Sequence, residues 1–419
     1  MESNSIIYCI ILIMLPRTLK THLLQASRTF PVILLTGPRQ VGKTTLLQSI
    51  AQPERNYVTL DDLDARTLAE TDPALFLQRY RPPIIIDEVQ YAPNLFSQIK
   101  LVVDQNKQNG QFWLTGSQKF HLMQSVTESL AGRVAILELN GFSQAEINNR
   151  ADHAPPFLPS ADWLGQARDR TIEIGLDALY QRIWRGSYPR VITEPDISTD
   201  LFYSSYIQTY IQRDIKEIIK ISSEKTFYNF IQVIAARTSQ LLNYADIARD
   251  VGIDQKTAKA WLSALEASGL VYLLQPYHNN LTNRLIKTPK LYFLDTGLCA
   301  YLTKWSTPQA LEAGAFSGAI LETWVISELL KSYWYNGKTP YFYFYRDKDQ
   351  KEIDLLIEQD NTLYPIEIKK SATPSLSAAN NFGLLAKFNQ PVGHGAVLCL
   401  RQKDIPLSAE IDAIPIGYL

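Results

Sequence analysis

The stretch Leu34-Leu35-Thr36-Gly37-Pro38-Arg39-Gln40-Val41-Gly42-Lys43-Thr44-Thr45 constrains this chain more than any other. It satisfies the phosphate-loop pattern G-x-x-x-x-G-K-[ST], with Gly37, Gly42, Lys43 and Thr44 in the required places. An apolar run, Pro31 to Leu35, precedes it, and Thr44–Ile50 reads as a helix, so strand, glycine loop and helix start follow in the right order. The glycines let backbone N–H groups wrap an anion, and the helix N-terminus adds partial positive charge. The segment from Gly37 through Pro38, Arg39, Gln40, Val41 and Gly42 to Lys43, Thr44 and Thr45 is therefore the candidate nucleotide site. Lys43 is expected to reach the β- and γ-phosphates of ATP, and the Thr44 hydroxyl to hold Mg²⁺.

Further along, Tyr57–Leu60 reads as a short strand, Arg66–Tyr80 as a helical stretch interrupted at Pro73, and Ile84-Ile85-Ile86-Asp87-Glu88 as a buried parallel strand ending in two carboxylates. Asp87 is the candidate Mg²⁺ partner and Glu88 the candidate base that orients water. After a helix near Leu95–Asn106, the strand Phe112–Leu114 ends in Thr115-Gly116-Ser117. Ligands of open parallel sheets bind beyond the carboxyl ends of the strands, so Ser117 or Thr115 is a candidate γ-phosphate sensor, an ordinary turn being the alternative. Arg133 has two readings: a charge-stabilising arginine, in cis or across a subunit boundary, and a solvated arginine beside a strand.

A chain of 419 residues exceeds what one core usually holds, which sets an expectation of about two to four domains. Its net charge of −1 gives no bulk attraction to nucleic acid or to an anionic membrane, so any DNA contact must come from a local patch. Cys9, Cys299 and Cys399 have no metal or disulfide spacing, and a reducing cytoplasm is expected. The apolar run Ile6 to Leu15 is too short to span a bilayer, which takes roughly 20 residues. Glu2 stands where a signal peptide carries positive charge, and translation from Met14 is the expectation for this end.

Four motifs, Gly37–Thr44, Asp87-Glu88-Val89-Gln90, Leu114–Gln118 and Ser129-Leu130-Ala131-Gly132-Arg133, resemble the prokaryotic AAA-type ATPases that carry a C-terminal DUF4143 domain. Tyr206–Ile215, Ala235–Gln240 and Lys290–Gly297 extend the resemblance over nearly the whole chain from Met14. The implied fold class is α/β: a P-loop NTPase core with a parallel sheet, a helical and winged-helix middle, and a restriction-endonuclease-like end. The expected boundaries are 16–142 for the ATPase core, 143–226 for a helical connector, 227–302 for the winged helix and 303–419 for the nuclease-like domain, with the DUF4143 region over about 200–370. In the connector, Trp184, Tyr188, Tyr206 and Tyr210 read as core, and Arg213 as either an arginine finger or a helix salt bridge.

In the middle region Tyr244–Val251 and Lys256–Ser268 read as two helices joined at Gly252 with Asp254 as cap, followed by the strand Leu270–Leu274. Lys256 and Lys259 are thin basic cover for a groove-reading helix, which favours packing or partner docking. Arg284, Lys287 and Lys290 read as wing contacts or as solvated lysines and arginine.

The last informative stretch is Glu352–Glu358, a turn at Asp360-Asn361, and Leu363–Lys369. A two-residue hairpin turn there makes facing residues sum to 721 and sets Asp354 opposite Glu367. It also gathers Ile353, Leu355, Ile357, Tyr364, Ile366 and Ile368 on one face. Opposed carboxylates repel, so a cation is expected: Lys369 beside Glu352, or a divalent metal between Asp354 and Glu367. Asp354, Glu367 and Lys369 match the D…E-x-K nuclease spacing, with Glu322 in an amphipathic helix Ala319–Lys331 as upstream acid.

The expectation is an ATP-binding protein that hydrolyses ATP with Mg²⁺, coupled to a nuclease-like domain that acts on or binds DNA. The second reading is an ATP-dependent switch whose C-terminal domain binds DNA or protein without cleaving it. Expected partners are ATP, with DNA, a protein and a second copy of the chain as candidates, and no membrane.

Overall fold

A computed structural model describes residues 15–116, 126, 128–169, 173–210, 223–278 and 288–419. The readings made for residues 1–13, Met14, Ser117, Arg213, Arg284 and Lys287 lie outside this set. The N-terminal part is a five-stranded sheet: β1 (Val32–Thr36), β2 (Asn56–Thr59), β3 (Ile84–Asp87), β4 (Phe112–Gly116) and β5 (Val134–Glu138), in the order β2-β3-β4-β1-β5. Every pairing in it is parallel. β1, β3 and β4 are buried along their whole length, as continuous apolar runs covered on both faces must be.

Helices α1 (Leu19–Thr29), α2 (Lys43–Ile50), α3 (Leu63–Thr71), α4 (Pro73–Arg79) and α5 (Leu95–Asn106) cover the sheet. The break expected at Pro73 is built by Asp72, whose carboxylate accepts from Leu75 N–H and caps the helix that the proline begins.

The middle part carries α6 (Ala161–Arg168), α7 (Leu176–Arg185), α8 (Thr199–Tyr210), α9 (Glu224–Ala235), α10 (Tyr244–Val251) and α11 (Gln255–Ala267). Tyr188, Tyr206 and Tyr210 are core residues here. Gly252, left-handed at φ +76°, ends α10, and Asp254 caps α11 by accepting from Thr257 N–H. Lys256 and Lys259 are exposed on α11.

The hairpin β7 (Val271–Pro276) and β8 (Lys290–Phe293) follows, with β6 (Gln240–Leu241) on its edge. After α12 (Thr296–Leu302) and α13 (Ser317–Trp334) come β9 (Phe342–Arg346), β10 (Glu352–Gln359), β11 (Thr362–Ile368), β12 (Gly395–Cys399), β13 (Ile405–Ser408) and β14 (Ile411–Pro415). Parallel pairing of β7 with β9 fuses all these strands into one nine-stranded sheet, β13-β14-β12-β11-β10-β9-β7-β8-β6. The sheet runs straight through the boundary expected at 302.

Two expectations need correction. Helix α13 is not amphipathic: Ile320, Leu321, Trp324, Val325, Ile326, Leu329, Leu330 and Lys331 are buried on all its sides, because it packs between the middle and C-terminal parts. And Ile353 does not share a face with Leu355. A register shift between Ile353 and Leu356 inserts a bulge, so Ile353 packs with Leu356 and Leu363, whereas Leu355 and Ile357 pack with Ile366 and Ile368.

Candidate functional site

The phosphate loop leaves β1 at Thr36 and enters α2 at Lys43. Its path depends on Gly37, at φ +142°, where an added Cβ would stand 1.9 Å from the Leu139 carbonyl oxygen, and on Gly42, left-handed at φ +88°. Gln40 is also left-handed, at φ 62°. Val41 and Pro38 are buried, Arg39 is half-buried, and Thr45 is exposed one residue past Thr44. The Lys43 ammonium is buried and donates to the carbonyls of Gly37 at 2.9 Å and Pro38 at 2.8 Å.

Beside the loop, Thr44 Oγ1 donates to Asp87 Oδ1 at 2.8 Å. This pairing of loop hydroxyl and strand-end carboxylate is what a Mg²⁺–phosphate site needs, and Asp87 is only 8% exposed. The next strand completes the arrangement. The Thr115 hydroxyl donates to Asp87 Oδ1 and accepts the Glu88 N–H at 3.1 Å. Glu88 itself is left-handed, at φ 57°, and its carboxylate accepts from Gln90 Nε2. Of the two sensor candidates, Thr115 is thus in the cluster and Ser117 lies outside the described residues.

Tyr57 was not singled out in the sequence, yet its hydroxyl donates to Asp87 Oδ2 at 3.2 Å. Burial, and after it Asp87, push the Tyr57 phenol up to about 12, so it stays a donor at neutral pH. Only the neighbouring of β2 and β3 brings it there, and no local motif announces that.

Arg133 is a correction to the in-cis reading. It precedes β5, at the amino ends of the parallel strands, roughly 16 Å of strand away from the loop. There it holds Asp104 of α5 through two hydrogen bonds, 2.6 and 3.0 Å long.

The second cluster sits where β10 and β11 meet α13. Asp360 and Asn361 are both left-handed, at φ 50° and 60°, and the register Leu355↔Ile366, Leu356↔Pro365, Ile357↔Tyr364 is the expected one. Asp354 Oδ2 accepts the Ile368 N–H at 2.9 Å, and Lys369 Nζ lies 2.6 Å from Glu367 Oε1. Glu367 is 6% exposed, and its Oε2 takes no hydrogen bond from any described residue. Burial, then Glu322 and Glu367, push the Asp354 carboxyl well above the usual carboxylate range.

Lys369 does not pair with Glu352, as one reading had it. Glu352 bonds instead to Lys290 and, at 3.4 Å, to Arg346. Glu322 is held by Lys290 at 3.2 Å and by the Tyr292 hydroxyl at 2.6 Å. Lys290, read as a wing contact or a solvated lysine, is buried. Burial alone would lower its pKa, but Glu322, Glu352 and Asp354 reverse the shift and raise it. Among the described residues, no three acid, histidine or cysteine side chains converge as a metal centre of that size requires. Asp354 and Glu367, with the orphaned Oε2, fit a single divalent ion; Glu322 is turned to Lys290.

Residues 29–148 match the AAA domain family, 176–309 the domain of unknown function DUF8612, and 317–419 the domain of unknown function DUF4143. An uncharacterised protein of Mycobacterium tuberculosis and one of Mycobacterium bovis are each 30% identical to the chain over 407 residues, which is 96% of this chain and 84% of theirs. The Walker-type ATPase of Pyrococcus abyssi is similar at 14% identity and a TM-score of 0.43, over 69% of this chain and 96% of that one. The RuvB Holliday junction branch migration motor of Thermotoga maritima is similar at 16% identity and a TM-score of 0.29, over 61% and 88%.

Proposed function

The chain belongs to the AAA-type ATPases with a C-terminal DUF4143 domain, and from that premise we propose that it hydrolyses ATP at the loop Gly37–Thr44 and couples this to a nuclease-like C-terminal domain. The observation that carries the ATPase reading is the bond from Thr44 to Asp87, with Thr115 behind it. Thr44 and Asp87 are the residues that would hold Mg²⁺, which supplies neutralisation of phosphate charge. Lys43 leaves its carbonyl partners for the β- and γ-phosphates, and the backbone N–H groups of the loop wrap them. Glu88, fixed by Thr115 and Gln90, orders the attacking water. Arg133 reaches a nucleotide only from a second copy of the chain, which keeps a homo-oligomer within the proposal.

Asp354, Glu367 and Lys369 form the D…E-x-K arrangement of the C-terminal domain, and the orphaned Glu367 oxygen supports a cation there. A second reading, an ATP switch whose C-terminal domain binds DNA or protein without cutting, is favoured by the commitment of Glu322 to Lys290. No described helix is long and apolar enough to cross a membrane.

Phosphate release tests the first part. Glu88→Gln is expected to bind ATP with affinity within about threefold of wild type and to lose at least about 100-fold in kcat. Undiminished turnover would remove Glu88 from its role. Plasmid cleavage with Mg²⁺ or Mn²⁺, compared between wild type and Asp354→Asn, separates the two readings of the C-terminal domain.

A further inference from the structure

The acid cluster already contains a cation that the chain supplies. Lys290, 3% exposed, comes from β8, outside the strands and helix that carry the acids. Its ammonium lies over the Phe344 ring, 5.7 Å from the centroid, and between Glu322 of α13 and Glu352 of β10. Tyr292, two residues along the same strand and so on the same face, adds its hydroxyl to Glu322. Arg346 backs Glu352 from β9. The charges thus compensate locally: Glu322 and Glu352 meet a buried ammonium and a guanidinium, which leaves Asp354 beside Glu367, whose Oε1 takes Lys369.

We propose that Lys290 is the resident cation of this cluster: its ammonium holds the position between Glu322 and Glu352 that a divalent ion would take, and leaves metal ligation to Asp354 and Glu367. A buried ammonium deprived of both carboxylates would be left without compensation, so an ion from solution cannot displace it cheaply. Lys290 is also anchored. β8 is hydrogen-bonded between β7 and β6, in the same sheet that carries β10. The cluster therefore takes one exchangeable metal ion, and its upstream acid serves as the lysine's partner.

Electron paramagnetic resonance of free Mn²⁺ counts the ions taken up by the full nucleotide-free chain. Asp354→Asn is expected to weaken wild-type Mn²⁺ binding at least about tenfold, and Glu322→Gln to change it by less than about twofold. Lys290→Met is expected to add one Mn²⁺ per chain, and the double variant Lys290→Met/Glu322→Gln to lose that ion again. Equal weakening by Glu322→Gln and Asp354→Asn would overturn the proposal, as would a Lys290→Met chain that gains no ion or a wild-type chain with no Asp354-dependent Mn²⁺. Should Lys290→Met fail to fold, the comparison of Glu322→Gln with Asp354→Asn decides alone. The inference rests on reading the cluster as a nuclease-type site, but its readout is a metal count. A chain that binds Mn²⁺ as described and cuts no DNA would defeat the nuclease reading and leave this one standing.

Discussion

Three hydroxyls from three elements meet at Asp87: Thr44 of α2, Thr115 of β4 and Tyr57 of β2. Thr115 does the most, because its single oxygen also takes the Glu88 N–H and so fixes the Asp87 carboxylate and the Glu88 backbone at once. Thr115→Val is expected to lower kcat about tenfold and to leave the KM for ATP within about threefold, with Thr115→Ser restoring most of the loss. Steady-state phosphate release checks it, and an unchanged kcat would show that Asp87 and Glu88 position themselves. Gly37, Lys43, Thr44, Asp87 and Glu88 were legible in the sequence because a phosphate loop and a strand-end carboxylate pair are local patterns. Tyr57 and Lys290 were not. Each reaches its partners through strand neighbours far off in the chain, and Lys290 reads as a surface residue until burial is known.

At the scale of elements, helix α13 ties the two ends of the molecule together. Glu328 Oε2 accepts the Gln144 N–H at 2.8 Å, and Lys331 Nζ donates to the Phe142 carbonyl at 3.1 Å and pairs with Glu328 at 2.8 Å. That backbone follows Leu139, whose carbonyl touches the Gly37 position, and the same helix carries Glu322 two turns earlier. Lys331→Met leaves a buried carboxylate uncompensated and is expected to cost about 3–5 kcal/mol of stability. Adding Glu328→Gln should recover most of it in thermal unfolding, and no recovery would assign the loss to packing of the lysine stem. Helix and turn boundaries were readable where a proline, a local cap or a turn pair sets them, as at Pro73, Gly252, Asp254 and Asp360-Asn361. The bulge at Asp354 and the burial of α13 on all sides were not, since both answer to neighbours that local alternation does not encode.

For the whole molecule, the expected α/β core with its parallel sheet is present, the strands after residue 240 form one continuous sheet, and the middle part packs on the phosphate loop. An added Cβ at Gly269 would meet the Pro38 ring at 3.1 Å. Long-range ion pairs hold the parts in place. Arg168 of α6 lies 2.5 Å from Asp404, near the C-terminus, and its hydrogen bond holds that carboxyl below its ordinary pKa. A depressed carboxylate contributes stability above its ordinary pKa and loses it as the pH falls through the lowered one. The gap in Tm between wild type and Asp404→Asn should therefore be full at neutral pH and close in acid; a gap that widened on acidification would contradict the pairing. The central claim is that the Gly37–Thr44 loop turns over ATP, and the most direct measurement is the initial rate of phosphate release by wild type and Lys43→Ala, with Mg²⁺ and with EDTA. The account predicts Mg²⁺-dependent release by the wild type and a rate at least about 100-fold lower from a folded Lys43→Ala. Equal rates from the two proteins would contradict it.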